Sequence, residues 1–212
     1  MATVELILGD CLPRLGEFSD SIIDVVVTDI PYGIGETGKK NSRRGSLAAP
    51  LDYGDYTWDI KVDPLYISEM IRVSQNQVVF GGNYYANLLL PSASWIVWDK
   101  LNTGDFADCE MAWTSHKRSA RMFRYLWNGM IKAKPEKRYH PTQKPLELMT
   151  WVVENYTKDG DIILDPFMGS GTTGVACAKL GRSFISIEKD PKYFDIAKRR
   201  IEEAQSQLLL PI

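Results

Sequence analysis

Three observations predict an α/β fold for this chain, with a mainly parallel sheet covered by helices on both faces. Short apolar runs rich in Val and Ile alternate with amphipathic helical segments along most of the sequence. One such run, Ile162-Ile163-Leu164, passes into Asp165-Pro166-Phe167-Met168-Gly169-Ser170-Gly171-Thr172-Thr173, a strand that enters a glycine turn and then a helix. The 212 residues are enough for one such domain with a proper core, so a single domain over residues 1–212 is expected.

The elements follow in order. Val4 to Leu8 reads as a strand, with a short helix around Leu12 to Phe18 and a second strand from Ile23 to Thr28. Gly33 to Trp58 is polar, rich in glycine and without periodicity, and reads as a long loop. Asp63-Pro64 opens a helix through Val73, with proline at the first helical position where no amide partner is lost. Gln77 to Phe80 reads as a strand, Tyr84 to Leu90 as a helix, and Trp95 to Trp98 and Glu110 to Thr114 as strands. After a basic insertion from Ser119 to Lys137, Pro145 to Asn155 has the period of an amphipathic helix. The strand Ile162 to Leu164, a helix from Thr173 to Leu180, the strand Phe184 to Ile187 and a helix from Asp190 to Ser206 complete the chain.

Composition excludes several classes. No apolar run approaches the roughly 18 residues that span a bilayer, and the acidic start, Met1 to Asp10, is unlike a signal peptide. Cys11, Cys109 and Cys177 are odd in number and have no Cys-x-x-Cys spacing, which argues for a reducing cytoplasm and against disulfides or a metal site. The net charge of −2 hides a local asymmetry. From His116 to Arg138, Lys117, Arg118, Arg121, Arg124, Lys132, Lys134, Lys137 and Arg138 are opposed only by Glu136. Lys39, Lys40, Arg43 and Arg44 form a second cluster, against Glu36. Clustered cations in an acidic chain are a footprint for phosphate, so these two segments, about 33–58 and 115–139, are expected to bind nucleic acid.

Two motifs carry the chemistry. The glycine turn lacks the Gly-Lys-Thr/Ser ending of a phosphate loop and the full Gly-x-Gly-x-x-Gly spacing of dinucleotide folds. Far upstream, the strand ending at Thr28 runs into Asp29-Ile30-Pro31-Tyr32, which offers a carboxylate, a carbonyl and an aromatic face at one point. A third segment, His140-Pro141-Thr142-Gln143-Lys144-Pro145, stands just before the glycine turn.

These three segments, in this order and spanning most of the chain, resemble the DNA amino-methyltransferases of the permuted beta group. Those enzymes carry a methyl group from S-adenosylmethionine to the exocyclic nitrogen of adenine or cytosine. The resemblance implies a Rossmann-like methyltransferase fold with a mainly parallel seven-stranded sheet, circularly permuted, with a short basic recognition insertion. Asp165, Pro166, Phe167, Gly169, Ser170, Gly171 and Thr172 match the cofactor motif. Glu188 is placed to take both ribose hydroxyls, Asp10 with Cys11 beside it is placed at the adenine of the cofactor, and Thr142 and Lys144 at its methionine end. Asp29, Ile30, Pro31 and Tyr32 match the catalytic Asp-Pro-Pro-Tyr, with Ile30 in place of the usual proline. Pro31 still biases Ile30 to extended backbone, so its carbonyl can keep its direction.

A mechanism follows from the resemblance. An exocyclic amino group has its lone pair delocalised into the ring, and Asp29 together with the Ile30 carbonyl would localise it by accepting both hydrogens. Tyr32 would stack on the base, which must leave the duplex. Asp at position 29 favours adenine, since the cytosine-amino enzymes of the family commonly carry Ser there. The alternatives are cytosine, an RNA or protein substrate, and a catalytically weak nucleic-acid-binding relative. Methylation at cytosine carbon-5 is disfavoured, because no cysteine follows a proline. The expected partner is double-stranded DNA, in a bacterial or phage-encoded cytoplasmic setting such as restriction–modification, with homodimerisation left open.

Overall fold

The computed structural model describes residues 2–34, 59–101, 107–127 and 132–208. They build one eight-stranded sheet between two layers of helix. The chain begins β1 (Val4–Leu8), α1 (Cys11–Glu17), β2 (Ile23–Asp29), α2 (Pro64–Val73), β3 (Ser74–Phe80). A 3₁₀ turn over Gly82–Tyr85 leads to β4 (Trp95–Asp99), β5 (Cys109–Thr114) and β6 (Arg121–Arg124). The chain ends α3 (Leu146–Tyr156), β7 (Ile162–Asp165), α4 (Thr172–Lys179), β8 (Ser183–Glu188) and α5 (Pro191–Leu208).

The strand order is β1-β8-β7-β2-β3-β5-β4-β6. Neighbours from β1 through β3 are parallel, and β5 runs antiparallel to both β3 and β4. The N-terminal strand lies beside β8 in the register Val4↔Phe184 to Leu8↔Glu188, as a permuted chain requires. The eighth strand, β6, pairs with β4 and comes from within the basic insertion, whose charge had masked its Arg-Met-Phe-Arg alternation. The helix expected over Tyr84 to Leu90 is replaced by the 3₁₀ turn, because Gly81 and Gly82 open it and Pro91 closes the segment.

Strand pleating divides the core. Val25 and Val27 point to the layer formed by α3, α4 and α5, whereas Val26 points to the α1 and α2 side. Burial on both faces explains the consecutive apolar residues Val25, Val26 and Val27 in β2. From β7 the chain proceeds through α4 to β8 on one side, and from β2 through α2 to β3 on the other. The crossover direction therefore reverses between β7 and β2. Open α/β sheets bind ligands at the carboxyl ends of such strands. Asp29 ends β2 and Asp165 ends β7.

Candidate active site

At that switch point lies a cleft of about 1160 Å³. On one wall the chain leaves β7 through Gly169 (φ 53°) and Gly171 (φ 80°) into α4. Gly171 serves a second need: a Cβ there would stand 2.8 Å from the Cβ of Ala197, so α5 can pack this close only against glycine. Asp165 is buried and accepts hydrogen bonds from the Thr28 hydroxyl (2.8 Å) and the Phe167 amide (3.2 Å). Burial raises its pKa to about 6, against the opposing pull of its hydroxyl and amide donors. Glu188, at the end of β8, accepts the Gly169 amide on one oxygen and the Asp190 amide on the other, both at 2.8 Å. Its carboxylate thus ties the glycine turn to β8 while facing the cleft.

The opposite wall holds the Asp29 segment. Ile30 is 1% exposed and packs among Val26, Ile67 and Val79 in the core, an anchor of another kind where proline is usual. The Tyr85 hydroxyl donates to the Pro31 carbonyl (2.6 Å) and accepts from the Val62 amide (2.9 Å), pinning the segment from below. The Tyr32 hydroxyl donates to Asp29 Oδ1 (2.9 Å), and the Tyr32 ring stacks on Tyr84 with centroids 4.9 Å apart.

Between the walls stands a buried charge cluster. The Lys144 ammonium lies 2.5 Å from Asp29 Oδ2, 3.1 Å from Glu110 Oε2 and 3.1 Å from the Tyr32 hydroxyl. Glu110 Oε1 is in turn 2.5 Å from Lys100 Nζ. Burial works against the charge on Glu110, but Lys144 and Lys100 outweigh it and bring its pKa down to about 2. Burial likewise opposes the Lys144 charge, and Asp29 and Glu110 more than offset that, so its pKa is raised. Asp29 is raised by burial and by Glu110, with Lys144 acting against both. Below the cluster, Gln143 accepts from the Tyr139 amide (2.8 Å) and the Ser170 hydroxyl (3.3 Å), joining the 140–145 segment to the glycine turn. Arg200 from α5 clamps the same junction by donating to the Ser170 carbonyl and lying 4.8 Å over the Tyr139 ring.

The comparisons with known proteins agree with this geometry. Residues 98–199 match the model of a family described as DNA methylase, the N6/N4 group. Over those residues the chain is similar to this DNA methylase family. M2.DpnII of Streptococcus pneumoniae, a type II methyltransferase, is 28% identical over 93% of this chain and 89% of its own. M.HinfI of Haemophilus influenzae, also a type II methyltransferase, is 27% identical over 93% of this chain and 68% of its own. Among solved structures, the M1.HpyAVI–SAM complex has 25% identity and a TM-score of 0.60, with 93% of this chain and 99% of that one covered. The cytosine-N4-specific PvuII DNA methyltransferase shares the fold at a TM-score of 0.62, with 17% identity, 99% of this chain and 93% of that one covered.

Asp10, Cys11, Asp29, Ile30, Pro31, Tyr32, Thr142, Lys144, Asp165, Pro166, Phe167, Gly169, Ser170, Thr172 and Glu188 all line the same cleft, although they come from both ends of the chain. Asp10 caps α1 through the Leu12 amide (2.8 Å) and accepts from the Tyr66 hydroxyl (3.1 Å). Burial pushes the Cys11 thiol up to about 12, which fits packing better than reactivity. The ammonium of Lys144 ends on Asp29 and Glu110, and Thr142 shares the Nδ1 of His140 through its hydroxyl (3.0 Å).

The basic residues separate. Lys39, Lys40, Arg43 and Arg44 lie outside the described residues. Lys117 and Arg118 lie beyond Thr114, which pairs with Val78, and so fall away from the cleft, whereas Arg121 pairs with Ile96 and is level in register with Phe80 and Asp29. Arg118 bonds the Asn155 carbonyl (2.5 Å) and covers the Tyr156 ring, a packing role against α3. The antiparallel direction of β5 thus carries the charges that follow it, Lys117 and Arg118, away from the cleft. Arg124 stands at the cleft end beside Asp99 (3.3 Å), Lys134 pairs with Glu147 (3.3 Å), and Lys132 donates to the Glu136 carbonyl over the Trp127 ring.

Sequence reasoning missed Glu110, Lys100, Tyr84, Tyr85 and Arg200. Glu110, Tyr84, Tyr85 and Arg200 act through partners far along the chain, and Lys100 acts through Glu110. The one usable signal was Glu110 itself, a lone acid in an apolar strand between Cys109 and Met111.

Proposed function

We propose that this protein transfers a methyl group from S-adenosylmethionine to the exocyclic amino group of adenine in double-stranded DNA. The observation that carries the reading is one cleft holding both the Asp29-Ile30-Pro31-Tyr32 segment and the glycine turn of Asp165 to Thr172. The residues present fit that cofactor. Glu188 has both oxygens oriented by backbone amides, and each keeps a lone pair for a ribose hydroxyl. The methionine end would lie toward the 140–145 segment, with Asp10 at the adenine.

S-adenosylmethionine, when bound, supplies a methyl group already activated on sulfur. The chain's own residues then have positioning work. Asp29 accepts one amino hydrogen and the Ile30 carbonyl the other, which concentrates the lone pair on the nitrogen. Tyr32 stacks on the extruded base, and Asp29 is the nearest acceptor for the proton that leaves the methylated nitrogen. Arg124, Lys132 and Lys134, together with Lys39, Lys40, Arg43 and Arg44, are the residues proposed to meet the DNA backbone. Adenine is preferred over cytosine because position 29 is Asp. The bacterial type II relatives support a cytoplasmic restriction–modification setting for the reaction.

Transfer of radiolabelled methyl groups to duplex DNA, RNA and protein in parallel, followed by mass spectrometry of the digested DNA, tests this. N6-methyladenine is expected. Chiefly N4-methylcytosine would overturn the adenine assignment, and transfer confined to RNA or protein would overturn the DNA reading.

A further inference from the structure

The reading above uses Asp29 and Tyr32 but leaves unexplained why two cations and a second carboxylate are buried beside them. Lys144 is 5% exposed, Glu110 22% and Lys100 16% by side chain, all lining the cleft. Burying charge this way is costly, and a half-paired cluster costs more than an apolar one. Glu110 comes from β5, Lys100 from the end of β4, Lys144 from the segment before α3, and Asp29 and Tyr32 from the end of β2. Three other stretches of chain converge on this one carboxylate.

We infer that Glu110 is a positioning residue for the methyl transfer, acting through Lys144 and the Tyr32 hydroxyl to keep Asp29 open to the substrate amino group. This rests on the proposed reaction. Asp29 Oδ2 faces Lys144, and Oδ1 accepts from Tyr32, so both oxygens already have protein donors. Each oxygen keeps a second lone pair for the substrate amino group, but an ammonium that closes on Oδ2 neutralises the carboxylate and crowds that approach. Glu110 Oε2 competes for both donors, at 3.1 Å from the Lys144 ammonium and 3.3 Å from the Tyr32 hydroxyl. It shares the ammonium between two anions, and Lys100 holds Glu110 in place from its other oxygen. Without the Glu110 charge, Lys144 keeps, among the described residues, Asp29 as its paired anion, closes on it and competes with the amino group.

The sign of the interaction separates this role from simple support. In the wild type, Glu110→Gln should lower kcat by roughly 10- to 100-fold, the scale of a misplaced reacting group, with the cofactor dissociation constant unchanged. In a Lys144→Met background no ammonium is left to be shared, and Glu110→Gln should instead relieve repulsion between two carboxylates and leave kcat equal or higher. Such reversal is a coupling between contacting residues, not the sum of two independent defects. Glu110→Asp keeps the charge and should retain more activity than Glu110→Gln.

The pH profile gives a second readout. The charged or titratable groups facing Asp29 are Lys144, Glu110, Tyr32 and Asp165. Loss of the Glu110 charge should move the acid limb of kcat to lower pH, because Glu110 raises the Asp29 pKa. The assay follows methyl transfer from labelled S-adenosylmethionine to unmethylated chromosomal DNA, with calorimetric titration of the cofactor checking that each variant is folded. If Glu110→Gln costs the same factor in both backgrounds, or leaves kcat unchanged in the wild type, the positioning role is overturned. If the wild type itself methylates no DNA, the proposed reaction fails first and this inference falls with it.

Discussion

Gly81→Ala isolates the contribution of the Tyr32 ring. Gly81 follows β3 with φ at 74°, and a Cβ there would lie 3.0 Å from Tyr32 Cζ and closer still to Cδ1 and Cε1. Non-bonded carbons are comfortable at about 3.5 Å or more, and Tyr32 Cε1 would lie at 2.1 Å, so the ring must retreat by roughly 1.4 Å. That retreat pulls the hydroxyl from Asp29, where it now donates at 2.9 Å, and disturbs the stack on Tyr84. A displacement of this size at a reacting centre costs on the order of 100-fold in rate. The left-handed backbone adds a stability cost of about 1–2 kcal/mol for alanine, or some 2–8 °C in Tm for a chain of this size. Gly181 supplies the matched control. Its φ is 64° and nothing lies within 4 Å of a built Cβ, so Gly181→Ala carries the same backbone strain and touches no site residue. Steady-state methylation and thermal unfolding of the two variants should show similar losses of Tm and a loss of kcat in Gly81→Ala alone. Equal kcat in both variants would refute the claim that the ring position matters.

Three other outcomes are expected. Asp29→Ala should abolish methyl transfer yet leave cofactor titration unchanged, because its carboxylate lies across the cleft from the glycine turn; retained turnover would remove it from the reaction. Arg124→Ala should reduce the slope of log DNA affinity against log salt by about one, whereas Arg118→Ala, whose guanidinium packs on the Asn155 carbonyl and the Tyr156 ring, should not change it. Burial first, then Lys144 and Arg138, bring the His140 pKa down to about 3 from an ordinary 6.5, so the unfolded chain takes up this proton at a higher pH than the folded one. The resulting loss of stability begins as pH falls through 6.5 and continues toward about 3, at up to about 1.4 kcal/mol per pH unit. Unfolding of His140→Gln followed by denaturant at pH 7 and pH 5 should show a flatter dependence than the wild type.

Much of the scaffold was legible because its causes are local. Proline at the first turn of α2, the Val and Ile run of β2 and the glycines after β7 each act within a few residues, so their elements appear where the pattern puts them. The same locality explains the errors. Apolar residues between Tyr84 and Leu90 suggested a helix, but Tyr85 is instead drawn inward to the Pro31 carbonyl, a partner 54 positions earlier. The basic insertion is contiguous in sequence, yet the direction of β5 sends Lys117 and Arg118 away from the cleft while Arg124 ends β6 on the cleft side.

The cleft sharpens that distinction. The motifs identified Asp29 and the glycine turn because these positions need a particular residue for backbone or chemical reasons of their own. Glu110 and Lys100 have no such local reason. Their meaning comes from Lys144, 34 positions beyond Glu110 and 115 beyond Asp29, and only the antiparallel pairing of β5 with β3 and β4 brings them together. Ile30 belongs to the same logic from the opposite direction. It departs from the family motif in sequence, yet its side chain fills a core position and Tyr85 holds the following carbonyl. Where proline would restrain the segment through its own ring, packing beneath Ile30 and a hydrogen bond at Pro31 restrain it here. The active-site geometry is therefore held by tertiary contacts that the motif alone does not encode.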